Sequence, residues 1–520
     1  MRPAGHILTL GIAVVTAGSA PGSDNYGNLT DAGCAAACAE LAKTFPQSGQ
    51  TLVRNTTAFD DFTKTYWALE QQDVDPSCVF EPASADEVAF FVRLAKTTTC
   101  PFAVKSGGHG AFAGSSNIQD GITVSLARLT EISVSDDKAT VAIGAGNHWV
   151  TVYQTLEKHD LAVPGGRYPT VGVGGLSLGG GISFFSTTRG WACDNIVSYE
   201  VITGEGDVVQ ADSASHPDLF WALRGGGNNF GIVTKITMEA FALPAGAVFG
   251  GLRVSLDSEE SSAALINAAY NLGTTGAAAD PLAGQIVNFG VVGGNKVGLA
   301  ILSYAAPVDR PAVLSEFLAI PAVMDSAKLR TLANLSAELA SGGGDNSASV
   351  KSRRSRATAT FHLNTDIMKH ARTVCFEEFG KVTDVSGISS FCIFQVITKQ
   401  QLEVSTAKGG NALGLDAADG PLFLLNILQS WKEAADDVRV RQATRSIIER
   451  TVEYGETKGW NLGYRYMNYA GEFQDVVAGY GEENQKKLVA IAARWDPRGV
   501  MQKLQPGGFK LSGTPLGASA

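Results

Sequence analysis

Past its first twenty residues the 520-residue chain offers no run of about 18 uninterrupted apolar residues, the length a helix needs to cross a bilayer. A soluble mature protein with no membrane span is expected. Basic charge is also short. Lys and Arg number 41 against 51 Asp and Glu, a net charge of -10, which argues against nucleic acid or an anionic lipid surface as partner, since both call for a basic face. Nucleotide signatures are missing too. There is no Walker A loop, and Gly172-x-Gly174 is followed by Ser177 where a dinucleotide fingerprint needs glycine, with no strand-like run leading in. Cys34 and Cys38 lack a second ligand pair at metal spacing, so no metal is expected. Histidine is scarce, seven in all, which leaves few imidazoles to serve as general base.

Glycine is what the chain has in excess: 59 of 520 residues, about 11% against the usual ~7%. With 45% hydrophobic residues, the chain can bury a large core in two or three domains. Residues 1–20 run from Arg2 through an apolar stretch, Ile7 to Val15, to Ala17-Gly18-Ser19-Ala20, the pattern of a secretory signal peptide. Secretion makes the seven cysteines candidates for disulfides. Cys34, Cys38, Cys78 and Cys100 suggest two bridges near the N-terminus, with the pairing open. Cys193 reads as a buried thiol. Sequons at Asn28, Asn55 and Asn334 agree with a secreted glycoprotein.

The glycines cluster in three loops. Lys105-Ser106-Gly107-Gly108-His109-Gly110 follows the strand expected over 102–105. The second loop spans 164–181, and the third is Gly225-Gly226-Gly227-Asn228-Asn229 before a strand that includes Ile232 and Val233. Dense glycine lets backbone N–H groups approach an anion closely, and several such loops point to one large ligand. Gly175-Leu176-Ser177-Leu178-Gly179 matches the nucleophile elbow of esterases, but no buried strand precedes the serine. Between the first two loops the pattern predicts a meander over 122–143 and a helix over 150–159, with His148 and His159 as solvated helix-end residues. Upstream, Ser84 caps an amphipathic helix and Glu87 completes a capping box. In the second half, alternation over 284–292, 297–302 and 390–397 predicts an antiparallel sheet, with helices over 312–318 and 434–453 covering it. The run from Ser341 through Lys351-Ser352-Arg353-Arg354-Ser355-Arg356 reads as a solvated loop, and His362 and His370 as ordinary residues of this half.

Taken together, eight ordered blocks resemble the berberine bridge enzyme-like flavoproteins of the vanillyl alcohol oxidase superfamily. They are the SGGH turn ending at His109, PTVGVGG ending at Gly175, LGGG ending at Gly181, DNIV ending at Val197, DLFWALRGGGNNFGIVT ending at Thr234, YMNYA ending at Ala470, WDPRGV ending at Val500 and PGGFKL ending at Leu511. The resemblance implies an α+β fold: a two-lobed PCMH-type FAD-binding domain with a substrate domain built on an antiparallel sheet covered by helices. Its implied boundaries are a leader over 1–20, an N-terminal segment of the FAD lobe over 21–73, the FAD-binding domain over 74–245, the substrate domain over 246–460 and a return to the FAD lobe over 461–515. It implies FAD bonded through its 8α methyl group to His109. Lys105, Ser106, Gly107, Gly108, Gly110, Thr170, Val171, Gly172, Gly174, Gly175, Gly179, Ile232 and Val233 are implied to surround it.

Many relatives add a second bond through cysteine in G-x-C-P-T-V-G. This chain has Gly166-Arg167-Tyr168-Pro169-Thr170-Val171-Gly172, so Tyr168 stands in that place and a single covalent link is expected. The family's Y-x-N-Y motif maps to Tyr466, Asn468 and Tyr469, with Tyr469 as base, Asn468 as a hydrogen-bond partner near the flavin and Tyr466 lining the pocket. A phenol ionising near pH ~10 needs a cation or donors to serve near neutrality, and no residue of the sequence identifies itself as that group. Asn411 is expected on the substrate side. The implied activity is that of a secreted, monomeric oxidase passing electrons to O2. Its small-molecule substrate would be a carbohydrate if the groove is open and polar, or a secondary metabolite if it is narrow and apolar. A dehydrogenase with another acceptor, a non-catalytic flavin or glycan binder, and a serine hydrolase are the alternatives.

Overall fold

The computed structural model describes residues 27–46, 49–292, 294–341 and 351–513. The leader expected over 1–20 and the glycine run 342–347 lie outside the described residues. Among the described residues no helix is long and apolar enough to cross a membrane.

The chain is α+β, with three main sheets that bring the glycine loops to one place. The first has four strands in the order Thr51–Val53, Cys78–Phe80, Ile122–Ser125, Phe102–Lys105, and the last three run parallel. Parallel sheets need cover on both faces. Helix Ala85–Thr98 supplies some of it, burying Val88, Phe91, Val92 and Ala95. Ser84 caps this helix as expected, accepting from the Glu87 N–H at 3.3 Å. The reciprocal half of the box does not form, because the Glu87 carboxylate accepts instead from the Ala83 N–H at 2.7 Å and from the Gln50 amide. Helix Gly27–Thr44 is stapled to the same sheet by Cys34–Cys100 and Cys38–Cys78. Cys34 and Cys38 lie one helical turn apart, so both sulfurs leave from one face. A third bridge, Cys375–Cys392, joins helix Thr365–Gly380 to strand Ser389–Ile397, and Cys193 is a buried free thiol.

The second sheet is antiparallel, in the order Ile132–Val134, Thr140–Gly144, Ile232–Glu239, Ile196–Ile202, Val208–Asp212. The meander expected over 122–143 is therefore split between two sheets. Ile122–Ser125 is buried at every position and takes the interior of the parallel sheet, whereas Ile132–Val134 is only partly covered and forms an edge.

The third sheet has eight strands, with Ala247–Leu256, Asn295–Tyr304, Ala283–Val292, Ser389–Ile397, Leu422–Trp431 and Arg353–His362 adjacent in that order and antiparallel. Helices Glu259–Asn271, Thr365–Gly380 and Asp437–Thr457 pack on one face. Leu422–Trp431 is buried throughout its length.

One expectation is overturned here. Arg353, Arg354 and Arg356 do not sit in a solvated loop but open the strand Arg353–His362, where Arg353 is 9% and Arg354 1% exposed. A polar run is buried because each cation finds a distant partner. Arg353 pairs with Asp73 and Asp437, while Arg354 and Arg356 stack over Trp67 at 3.9 and 4.6 Å.

The same strand meets helix Leu69–Gln72, where Glu70 is 2% exposed and accepts the Arg354 N–H at 2.9 Å. Its other oxygen, Oε2, has no partner among the described residues. Burial outweighs the pull of that N–H and of Arg353 and Arg441, raising the carboxyl pKa to about 7. A carboxyl pKa higher in the folded than in the unfolded state means that the folded protein holds the extra proton, so stability falls as pH rises from about 4.5 to 7. Glu70→Gln should therefore flatten the dependence of melting temperature on pH, with a gain over wild type of up to about 3 kcal/mol above pH ~7. Parallel melting curves for the two proteins between pH 5 and 8 would refute this account of Glu70.

Candidate functional site

Strand Phe102–Lys105 delivers the first glycine loop, and alternation along it decides which side chains face inward. Lys105 does not line the cavity, contrary to expectation. Its ammonium lies over the Phe62 and Tyr66 rings at 5.3 and 5.1 Å, and burial lowers its pKa to about 8. Ser106 takes part in the site by bracing the two loops, donating to the Ala145 carbonyl at 2.6 Å and accepting the Gly174 N–H at 3.2 Å. At Gly107 and Gly172 the loops touch backbone to backbone. A Cβ on Gly107 would lie 2.4 Å from the Gly172 nitrogen, and one on Gly172 would lie 2.2 Å from the Gly107 nitrogen.

His109 stands at the loop's tip, stacked on Trp67 at 4.5 Å and 16° and meeting Tyr168 edge-on at 5.4 Å. Its Nε2 is 2.9 Å from the Thr170 hydroxyl. Burial, and then the guanidiniums of Arg356 and Arg354, push its pKa well below the ordinary imidazole value. The ring is consequently neutral at pH 7 and keeps one nitrogen lone pair.

Helix Val173–Leu178 starts at the second loop and lays Gly174 and Gly175 along the cavity. A Cβ at Gly175 would meet nothing within 4 Å, whereas one at Gly179 would lie 2.2 Å from the Asn468 Oδ1. Ser177 sits inside this helix, fully buried, and its hydroxyl has no hydrogen-bond partner among the described residues. With no base beside it, the elbow reading fails. Gly227, Asn228, Ile232 and Val233 of the third loop and strand complete this side, held by the Asn228 amide donating to the Gly507 carbonyl at 3.0 Å.

The three loops wall one end of a cavity of about 390 Å³, and the large sheet walls the other with Leu252, Ile286, Leu299, Ile301, Ile393 and Leu428. Between them lies the segment Tyr464–Ala470. The Tyr466 hydroxyl accepts the N–H groups of Gly181 and Ile182 at 3.1 and 3.0 Å and the Asn468 amide at 3.0 Å. Tyr466 thus borders the cavity with its ring, while its hydroxyl anchors the LGGG loop, and burial raises its pKa. Asn468 donates as well to the Leu176 carbonyl at 3.0 Å.

Tyr469 carries the group that sequence reasoning left unnamed. Its hydroxyl accepts from Arg167 at 2.7 Å and from the Gln395 amide at 3.1 Å. The Arg356 guanidinium lies 5.6 Å from its ring and donates to the Asn468 carbonyl at 3.3 Å. Asn411 is not on this surface, contrary to expectation. Its amide donates to Asp194 and Ser405 at 2.8 Å each.

Trp67, Arg167, Arg356 and Gln395 are the site residues that the sequence reading missed. Only Arg167 lay inside a motif, next to the Tyr168 that drew attention. Chemically, a guanidinium and an amide fix the phenol oxygen at the junction of the glycine loops and the large sheet. A neutral imidazole between glycine loops with open space at Gly175 suits a large anionic cofactor, so the residues present fit FAD. Gly172→Ala should lower the melting temperature markedly by forcing the two loops apart, while Gly175→Ala, in open helical space, should not. Equal melting of both variants would contradict the contact at Gly172.

Residues 76–212 match a family model described as an FAD binding domain. A FAD-dependent monooxygenase of Fusarium proliferatum is 34% identical over 460 residues, 86% of this chain and 87% of that protein. Two solved structures share the fold. 6-Hydroxy-D-nicotine oxidase from Arthrobacter nicotinovorans is 22% identical, with a TM-score of 0.73 over 87% of this chain and 96% of that one. Berberine bridge enzyme from Eschscholzia californica is 16% identical, with a TM-score of 0.74 over 93% and 100%.

Proposed function

The chain belongs to the family of FAD-dependent oxidoreductases that these relatives represent, and from that premise we propose that it oxidises an apolar secondary metabolite, with His109 as sole covalent anchor of FAD and Tyr469 as base. When bound, FAD supplies the acceptor for a hydride leaving a substrate carbon. The three glycine loops, with Ile232 and Val233, would hold it. His109, neutral by burial, keeps the lone pair that bonding to carbon requires. Tyr168 occupies the place of a second anchor and packs against His109 instead.

The observation that carries the reading is the grip of Arg167 and Gln395 on the Tyr469 hydroxyl, at the junction of the glycine loops and the large sheet. Both donors fix the phenol oxygen, the atom that takes the proton from the substrate as its carbon is oxidised. Asn468 and Tyr466 hold that segment against the second loop. Leu252, Ile286, Leu299, Ile301, Ile393 and Leu428 of the sheet wall support a metabolite with an apolar body, and Asn288, Gln395 and Asn426 of the same wall support polar groups upon it. Three disulfides support an oxidising, secreted setting. O2 is the electron acceptor in this reading, which yields hydrogen peroxide. The curated relatives' name favours a second reading, monooxygenation, in which one oxygen atom enters the product.

Acid precipitation of the purified protein should leave flavin absorbance on the pellet, and His109→Ala should lose it; flavin released from wild type would rule out the tether. Tyr469→Phe should lower kcat about 10²- to 10⁴-fold at unchanged flavin content, and Arg167→Gln should lower kcat at unchanged flavin content. An undiminished kcat in Tyr469→Phe would remove that residue from the role of base. Turnover under isotopically labelled O2 separates the two readings, since label in peroxide marks the oxidase and label in the product the monooxygenase.

A further inference from the structure

We propose that the substrate is an anion, an apolar skeleton bearing a carboxylate or a similarly charged oxygen that Arg356 and Arg167 receive at the sheet end of the cavity. The inference rests on the FAD-dependent reading and deepens it by naming a substrate class.

Arg167 and Arg356 both border the cavity, yet among the described residues their hydrogen-bond partners are neutral. Arg167 donates to the Gln395 amide oxygen at 2.5 Å and to the Tyr469 hydroxyl at 2.7 Å. Arg356 donates to the Asn468 carbonyl at 3.3 Å, rests on the rings of Trp67 and Tyr469, and leaves Nε without a partner among the described residues. Three other arginines, on strands of the large sheet, meet carboxylates. Arg253 pairs with Asp325, Arg330 with Glu338, and Arg353 with Asp73 and Asp437. Withdrawing a guanidinium from water without a counter-charge is costly, so two such groups at one cavity mark a place where negative charge arrives from outside.

The sheet wall defines the rest of the ligand. Asn288, Ile393 and Asn426 stand opposite one another on three adjacent strands, so their side chains share the face turned to the cavity. Asn426 is 2% exposed, and its amide oxygen, like that of Asn288, has no partner among the described residues. These oxygens call for hydroxyl or N–H donors on the ligand. Leu299, Ile301 and Leu428 around them call for an apolar body. Among the described residues, no aromatic side chain of the sheet lines the cavity; its aromatic lining, Tyr168, Tyr466 and Tyr469 among it, comes from the loops.

The test titrates the flavin-loaded protein with benzoate and with benzamide, which match in size and differ in charge, and follows perturbation of the flavin absorbance. Benzoate should bind at least about ten-fold more tightly. Arg356→Gln and Arg167→Gln should each erase most of that preference, and Arg356→Lys should keep part of it. Flavin content and melting curves identify any variant that has not folded; the wild-type ratio of the two affinities then decides alone. Equal affinities, or a preference that survives in both Gln variants, would overturn the proposal. So would an Arg356→Gln protein whose flavin reduction potential moves while its benzoate preference stays, because Arg356 would then serve the cofactor. If the purified protein carries no flavin, the FAD reading fails on its own, and the benzoate to benzamide ratio is read from tryptophan fluorescence instead.

Discussion

Two stretches of backbone meet at Gly107 and Gly172 with no room for a side chain on either, and the rest of the site is measured from that contact. It is possible only where neither residue has a Cβ. The contact sets the first loop against the N-terminus of helix Val173–Leu178, and Ser106 reinforces it by bonding to both Ala145 and Gly174. His109 follows two residues later, so its ring has little freedom apart from its own rotamer. Asn468 then butts against Gly179 at the far end of the same helix, so one short helix sets the distance between His109 and the segment carrying Tyr469.

Burial of charge is the second constraint. Strand Arg353–His362 brings three arginines inside, an arrangement that costs free energy unless each is met by an anion or a ring face. Arg353 is met by two aspartates, and Arg354 and Arg356 share the indole of Trp67. That indole also stacks on His109. The stack transmits position and charge together, since guanidiniums behind the ring disfavour protonation of the imidazole in front of it. The N-terminal segment is thereby built into the site through Trp67.

What could be read from the sequence was whatever local chemistry encodes. Glycine loops, the capped helix at Ser84 and the alternating strands of the large sheet announce themselves within a few residues. The four N-terminal cysteines announced two bridges but not their pairing, which depends on how helix Gly27–Thr44 lies on the sheet. The arginine run around 353–356 was misread because periodicity rules treat consecutive cations as solvated, and the partners that bury them lie about 280 residues away at Trp67 and Asp73. Lys105 misled in the opposite way. It stands in the motif, yet strand alternation turns it toward Phe62 and Tyr66. Motif membership identifies a loop; which of its side chains face the ligand is decided by pleat and packing.

Residues 167 and 168 show how that distinction shapes the chemistry. They lie at a bend, where Tyr168 meets His109 while Arg167 reaches the Tyr469 hydroxyl. Position 168 therefore carries packing against His109, and the residue before it carries the cation at the phenol. With one covalent bond in place of two, the cofactor's orientation would depend more on noncovalent walls, and Tyr168, Trp67 and the Gly107 to Gly172 contact are the walls nearest the anchor. Arg167 ties those walls to the large sheet through Gln395. A loop that meets His109 through one side chain and Tyr469 through the next couples the positions of the two, because neither side can shift without moving the peptide between residues 167 and 168.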